Sequence, residues 1–239
     1  MQYVPPLNPR LYPNLDKLLA ARDRTLDWLN SSDDPDSEPN IARLSLTEAV
    51  KIIPIRFQAA VPTEPAVRAW VDAVADAART EQVQRGAYLA SVNHGPSLVL
   101  LGPTGVGKTY EAYGAVRDIA VTGVVARWTV TTAADLYAAL RPRHGIDSEA
   151  EFAKYRNARL LLIDDLGAER KPTEFTEEIN FRLVNHRYEH QLPTLFTSNV
   201  GAAELAQRLG DRVTSRLAEM CQRVSMKGSD KRRSNGEAA

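Results

Sequence analysis

The clearest chemical signal in the sequence is the loop GPTGVGKT at residues 102–109. Its glycines let the backbone close around phosphate oxygens, so that the loop amides and the next helix N-terminus point at the anion. Its lysine would neutralise charge on the β- and γ-phosphates, and its last hydroxyl would ligate Mg²⁺. A ligand-free glycine-rich turn is the alternative, which the apolar run before the loop argues against. The predicted site for ATP and Mg²⁺ comprises Gly102, Pro103, Thr104, Gly105, Val106, Gly107, Lys108 and Thr109.

A second signal is LLLIDD at residues 160–165, an apolar run that ends in two acids. Ligands of α/β sheets bind at the carboxyl ends of the strands, so these carboxylates should lie near the phosphate loop. Asp164 suits the Mg²⁺ shell, and Asp165 suits polarisation of an attacking water. Two surface acids at a strand end are the alternative. Because aspartate is shorter than the glutamate common at this position, we expect slow turnover.

Two further motifs follow along the chain. Asn199 directly follows the apolar run at 193–198, where it would hydrogen-bond the water or the γ-phosphate; an ordinary turn asparagine is the alternative. Arg212 and Arg216 lie four residues apart and therefore share one helix face. This face would reach the ATP of a neighbouring subunit and stabilise transition-state charge, unless the arginines form ion pairs with Asp211 or Glu219.

The elements that must position these residues are short apolar runs alternating with helical segments. Runs that are polar at neither face predict strands buried on both sides, and their alternation with helices predicts a parallel α/β sheet. The predicted strands are 97–101, 124–130, 159–164, 193–198 and 222–227, and the predicted helices among them are 107–122, 133–140, 149–157 and 174–190.

The N-terminal part has a different pattern. Four prolines make residues 1–13 extended or loose, and leucines near one face predict a helix over 14–30 that Asn14 would cap. The polar segment 31–40 predicts a linker. We further expect a short helix near 45–51 and a long one over 65–90.

Composition narrows the class of protein. Hydrophobic residues make up 44% and charged residues 25% of the 239 residues, and the formal net charge is zero. This fits a globular protein with a sizeable core, and it does not by itself demand a nucleic-acid partner. A single cysteine, Cys221, excludes an internal disulfide. No signal-peptide or membrane-spanning pattern is evident, so we expect a cytoplasmic protein without a membrane partner.

The four motifs, in this order and spacing, resemble those of AAA+ ATPases over roughly residues 50–228. Within that superfamily the chain is most similar to the DnaC/DnaI loaders of replicative helicases and the related IstB transposition helpers. The stretches that carry this closer resemblance are IPIRF at 53–57, DDLGAERKPTEF at 164–175 and GDRVTSRL at 210–217.

The resemblance implies a five-stranded sheet of order 5-1-4-3-2 with helices on both faces and no substantial C-terminal lid. It implies Asn199 as the sensor residue and Arg216 as an arginine finger acting across an ATP-dependent homo-oligomer. It also implies a single-stranded DNA contact through an insert at 133–157 and the loop after 164. The matching positions are Arg141, His144, Thr173 and Phe175, although an exposed turn and a core phenylalanine are the alternatives.

In this family the N-terminal region docks on a DnaB-type replicative helicase. We expect residues 1–40 to be a partner-binding extension and linker, 41–228 the ATPase domain, and 229–239 a basic disordered tail. The apolar stripe over 14–30 would bind the partner, or it would pack back on its own domain. The leading hypothesis is a helicase loader. The alternatives are an IstB-type helper that acts on duplex DNA with a transposase, and a helicase inhibitor without productive turnover.

Overall fold

The computed structural model describes residues 2–145, 147–168 and 172–230. Its strands are β1 (Ser97–Leu101), β2 (Trp128–Thr132), β3 (Leu160–Asp164), β4 (Thr194–Ser198) and β5 (Cys221–Ser225). Its helices are α1 (Leu15–Ala20), α2 (Leu26–Leu29), α3 (Glu38–Ile52), α4 (Pro65–Arg85), α5 (Lys108–Ala120), α6 (Ala133–Leu140), α7 (Ser148–Arg156), α8 (Glu174–Glu189), α9 (Ala202–Leu209) and α10 (Asp211–Met220). The chain forms two compact units, residues 1–95 with 110–128 and residues 96–109 with 129–239.

The second unit is built on a five-stranded sheet of order β2-β3-β4-β1-β5. Strand β1 pairs in parallel with β4 and β5, and β3 pairs in parallel with β4. Strands β1, β3 and β4 are buried along their whole length, which explains their unbroken apolar runs. Read from β5, this is the predicted order 5-1-4-3-2, which is confirmed.

One hydrophobic core of this unit joins the sheet to helices α6 to α10. Its members include Leu101 of β1, Ile163 of β3 and Phe196 of β4. Each of these residues lies at the carboxyl end of its strand or within two positions of it. The core therefore fixes the three strand ends that carry the predicted phosphate and catalytic residues.

In the first unit, the leucines of α1 and α2 are buried rather than presented to solvent. Leu18, Leu19 and Leu29 pack in a cluster with Leu46 of α3 and Val121. The alternative of packing back on the chain's own domain therefore accounts for this apolar stripe. The extended linker and the partner-binding role of residues 1–40 stay predictions.

The predicted single helix over 14–30 is wrong in extent. The chain turns between α1 and α2, where Asp23 has a left-handed φ of 53° and the Thr25 side chain caps α2 by accepting from Trp28 N. The predicted cap at Asn14 is also wrong. Its φ is 56°, and its side-chain amide donates to the carbonyl oxygen of Ala59 at 2.9 Å.

Helix α3 begins earlier than the predicted short helix near 45–51. Ser37 caps it, and a proline follows within its first turn, where a missing amide hydrogen removes no helical bond. The start of the helix was not predicted because two of its buried positions, Asn40 and Arg43, are polar and interrupt the apolar pattern. Arg43 is fully buried and donates to the carbonyl oxygens of Val4, Leu29 and Ser32.

Strand β2 also starts later than predicted. Val125 makes only an isolated bridge to Ser91, and the strand begins at Trp128. No helix in the described ranges combines the length and apolarity needed to cross a membrane. Within the same ranges, no helix follows β5. The predicted basic tail lies outside the described residues from position 231 onward.

Candidate nucleotide-binding site

The predicted phosphate loop connects β1 to α5, as its strand–loop–helix pattern indicated. Gly105 and Gly107 have φ values of 86° and 106°, which side chains with a Cβ rarely adopt. The Lys108 side chain folds over the loop, where Nζ donates to the carbonyl oxygens of Gly102 at 2.7 Å and Pro103 at 2.8 Å. The lysine ammonium is thus held at the loop by local geometry.

The chain after β5 also lies against this loop. A Cβ added to Gly102 would lie 2.3 Å from the carbonyl oxygen of Met226, and one added to Gly105 would lie 1.9 Å from Oδ1 of Asp230. Both glycines are therefore required by close approach as well as by backbone conformation. The sequence predicts the conformational requirement but not this contact.

The carboxylate of Asp164 meets the loop at the end of β3. The Thr109 hydroxyl lies 3.1 Å from both carboxylate oxygens, and the buried Thr197 hydroxyl of β4 also donates to Oδ1. Burial and the neighbouring Asp165 charge raise the pKa of Asp164, against the opposing effect of these hydroxyls and Lys108. The structure therefore brings together the two residues predicted to ligate Mg²⁺.

Asp165 occupies a strained turn immediately after β3. Its φ is 59°, its amide donates to the Thr197 hydroxyl at 2.9 Å, and its carboxylate accepts from the Asn199 side-chain amide. Leu166 N donates to the Thr197 carbonyl oxygen at 2.8 Å. The end of β4 thus holds two of the predicted catalytic residues, Asp165 and Asn199, against each other.

Thr197 is a site residue that the sequence reasoning missed. Its single hydroxyl donates to Asp164 and accepts from the amide of Asp165, so it links the two acids. The sequence signal that could have indicated this role is the position of a polar side chain within the apolar run 193–198, which was predicted to be buried on both faces. Buried polar groups require partners, and the nearest candidates for this one are the acids that end the neighbouring strand.

Arg212 and Arg216 share one face of α10, as predicted, and both guanidinium groups lie near Phe181 of α8. Arg216 Nε donates to Oδ1 of Asn185 on α8 at 2.6 Å, and its guanidinium carbon lies 5.3 Å from the Phe181 ring centroid. The ion-pair alternative does not hold, because none of the salt bridges among the described residues includes either arginine. Glu219 instead accepts from the hydroxyl of Tyr188 at 2.6 Å.

The four predicted DNA-binding residues do not form one contact cluster. Arg141 and His144 are exposed in the turn after α6. Thr173 caps α8 by accepting from Thr176 N, and Phe175 packs against the hydrophobic core. Across the described ranges, no hydrogen bond or ring contact joins the first pair to the second. Their role in binding DNA stays a prediction.

The sheet order and this site define a P-loop protein of the AAA+ type. The IstB-like ATP-binding protein family matches residues 58–239, and the chain belongs to that family. The first 57 residues lie outside the match.

The curated relatives include proteins of two named kinds. The chain is 30% identical over 133 residues to the ATP-binding protein of insertion sequence IS21 from Pseudomonas aeruginosa, covering 55% of this chain and 48% of that protein. It is 25% identical over 147 residues to the replicative helicase loader DnaI of Bacillus subtilis, covering 57% of this chain and 46% of that protein. The chain therefore spans about half the length of the curated relatives it matches.

Among solved structures, the crystal structure of the DnaC helicase loader is similar to this chain. The TM-score is 0.57 and the identity 23%, over 73% of this chain and 100% of that one. At this level of identity the similarity shows a shared fold. It supports the AAA+ assignment that the sheet order already gives.

Proposed function

We propose that this protein is an ATP-dependent loader of a replicative, DnaB-type DNA helicase. The observation that carries the proposal is an assembled nucleotide site in which the phosphate loop, two acids and Asn199 meet, while Arg216 is held on α10 with no carboxylate partner among the described residues. Such an arginine suits a subunit that completes its neighbour's site. The 25% identity to a helicase loader supports the choice of partner.

In the proposed reaction, residues 102–109 bind the phosphates of ATP. Thr109 and Asp164 supply oxygen ligands that suit Mg²⁺, which when bound neutralises charge on the β- and γ-phosphates. Asp165 polarises the water that attacks the γ-phosphorus, and Asn199 orients that water or the γ-phosphate. The left-handed backbone conformation of Asp165 places its short side chain against Asn199. Turnover therefore depends on the order of the Asp165–Asn199 pair.

ATP would order subunits into a homo-oligomer, because Arg216 of one subunit reaches the ATP of the next. Single-stranded DNA would bind along the same assembly through Arg141 and His144, whose exposure leaves them available to phosphate. Thr173, which caps α8, and Phe175, in the first turn of that helix, would contribute further DNA contacts from the start of α8. Hydrolysis would then release the loader.

The helicase would dock on the N-terminal segment that lies outside the family match. Its apolar stripe is buried, so docking uses its exposed apolar side chains instead. Leu11 is 68% exposed and Tyr3 is 43% exposed, and the surrounding backbone is held by the buried Arg43 and Asn40. An ordered segment with exposed apolar side chains suits a partner of complementary shape.

The test is co-elution with the host's replicative helicase in size-exclusion chromatography with ATP and Mg²⁺. The wild-type chain is expected to share a peak with the helicase, and Leu11→Asp is expected to lose it. Val83→Asp is the matched control, because Val83 is an aliphatic residue of α4 that is 82% exposed. Truncation of residues 1–40 is unsuitable, since it would uncover Leu46 and Val121.

A second candidate function is an IstB-type transposition helper that acts on duplex DNA with a transposase. The family match and the 30% identity to the IS21 protein favour it. Absence of a shared peak with the helicase in any nucleotide condition, together with transposase-dependent binding of duplex DNA, would replace the loader proposal by this one. Normal ATP hydrolysis stimulated by single-stranded DNA would exclude the remaining hypothesis, a helicase inhibitor without productive turnover.

The proposed chemistry also predicts a role for Thr197. Thr197→Val keeps the side-chain shape but removes the hydroxyl that links Asp164 to the Asp165 amide. We expect kcat for ATP hydrolysis to fall about 10- to 100-fold through misplacement of the acids, with ATP affinity within a few-fold of wild type. Thr197→Ser, which retains the hydroxyl, should recover most of the rate. Equal rates for the valine and serine variants would contradict this role.

A further inference from the structure

Helix α8 presents a polar and aromatic face to α10. Phe181, Asn185 and Tyr188 follow one another at helical spacings of four and three residues, so they share one side of α8. The Arg216 guanidinium carbon lies 5.3 Å from the ring centroid of Phe181 and 6.0 Å from that of Tyr188. The Arg216 guanidinium therefore lies near both aromatic rings. Asn185 lies between these two residues along α8.

Two hydrogen bonds fix the orientation of the Asn185 amide. Its oxygen accepts from Arg216 Nε at 2.6 Å, and its nitrogen donates to Glu189 Oε1 at 2.8 Å. Arginine can only donate, and an ionised glutamate can only accept, so the amide has one consistent orientation. Arg216 Nη1 additionally donates to the carbonyl oxygen of Arg212 at 3.0 Å.

Among the described residues, the hydrogen-bond partners of Arg216 are neutral, in contrast to those of Arg182 and Arg208. Arg182 pairs with Glu149 and Glu178, and Arg208 pairs with Glu204. The acids near Arg216 are engaged elsewhere, since Glu219 accepts from Tyr188 and Glu189 accepts from Asn185. The position of Arg216 is therefore fixed, while no carboxylate in the described part of the chain forms an ion pair with it.

We propose that Asn185, supported by Phe181 and Tyr188, is a positioning residue that sets the Arg216 guanidinium for an anionic phosphate group of a neighbouring subunit's nucleotide. This inference rests on the proposed trans action of Arg216. A neutral amide holds Nε without competing for the charge. A carboxylate at position 185 would bind the same nitrogen but would satisfy the charge that the phosphate needs.

The test compares three full-length variants in ATPase assays with single-stranded DNA. Asn185→Leu removes the acceptor at similar volume, and we expect kcat to fall about 10- to 100-fold with little change in KM. Asn185→Asp restores an acceptor but adds a charge, and it is expected to remain impaired. Glu177→Gln, at an exposed position of the same helix, serves as the control and should match wild type.

Subunit mixing separates positioning from a stability effect. An Asn185→Leu subunit retains its own phosphate loop, whereas a Lys108→Ala subunit lacks that site but retains Asn185 and Arg216. Turnover of the mixture should exceed the sum of the two separate preparations, because the second subunit supplies an ordered arginine to the first. A merely destabilised Asn185→Leu subunit would gain nothing from mixing.

Arg216→Ala, measured in parallel, distinguishes the positioning role of Asn185 from the trans action of Arg216. Loss of turnover in Arg216→Ala together with wild-type kcat in Asn185→Leu would refute the positioning role and leave the arginine finger standing. Normal turnover in Arg216→Ala would instead overturn the trans action on which the proposal rests. Full activity of Asn185→Asp would show that the neutral character of this partner is irrelevant.

Discussion

Replacement of Lys108 by alanine is expected to abolish measurable ATP binding. The ammonium lies at the phosphate loop, 2.7 Å and 2.8 Å from two loop carbonyl oxygens, where it can exchange these neutral partners for phosphate oxygens. Loss of charge-assisted bonds worth ~3 kcal/mol weakens binding by about 100-fold or more. Titration of a fluorescent ATP analogue in the presence of Mg²⁺ measures this change directly.

Two further variants show whether the charge of Lys108 is responsible. Lys108→Met retains most of the side-chain volume without the ammonium, so it should bind ATP as poorly as Lys108→Ala. Lys51→Ala removes an exposed lysine of α3 that pairs with Glu48, and it should bind ATP normally. Circular dichroism must show that the variants remain folded. Wild-type affinity in Lys108→Met would refute the assignment of Lys108 to phosphate neutralisation.

The features that sequence predicts well are those whose cause is local. The phosphate loop requires particular residues at fixed spacing, and its strand and helix lie where the motif placed them. Strand β1 and helix α6 have the predicted bounds, because an apolar run buried on both faces and a clear helical period each identify themselves without knowledge of partners. The strand order came from the resemblance rather than from any local pattern.

The features that sequence did not predict depend on partners distant along the chain. The Thr197 hydroxyl meets Asp164 across 33 residues, and Asn185 meets Arg216 across 31 residues. Buried Arg187 of α8 donates to the carbonyl oxygens of Ala158 and Pro193. Desolvation by burial lowers the pKa of this guanidinium to about 9. Residue type alone assigns such polar groups to the surface.

The prediction of a single helix over 14–30 was wrong for a related reason. Its leucines predict an amphipathic helix, but periodicity cannot say whether the apolar face meets a partner or the rest of the same chain. The two helices bury most of those leucines internally, and buried Arg43 holds the end of α2 and the chain after it by donating to the carbonyl oxygens of Leu29 and Ser32. Partner docking must therefore be sought on side chains that this packing leaves exposed, of which Leu11 is the most exposed large hydrophobic residue in the range 2–40.

Replacement of Arg216 by alanine is expected to leave ATP binding intact and to remove turnover. The reason is its position on α10, where Asn185 and two aromatic rings hold it and no described carboxylate pairs with it. An arginine that stabilises transition-state charge across an interface contributes roughly 10³-fold or more to kcat. Nucleotide affinity by fluorescence and phosphate release with single-stranded DNA, measured on the same preparation, separate these two effects.

Matched arginine variants make the interpretation specific to the interface. Arg85→Ala removes an exposed arginine of α4 that pairs with Glu81, and it should hydrolyse ATP at the wild-type rate. Arg212→Ala should reduce turnover less than Arg216→Ala, because Arg212 is more exposed and has a single ring contact, at 5.9 Å from Phe181. If Arg216→Ala hydrolyses ATP normally, or if its turnover and ATP affinity fall together, Arg216 is not a trans-acting finger. The Arg216 guanidinium would then bind an anion other than a neighbouring subunit's nucleotide.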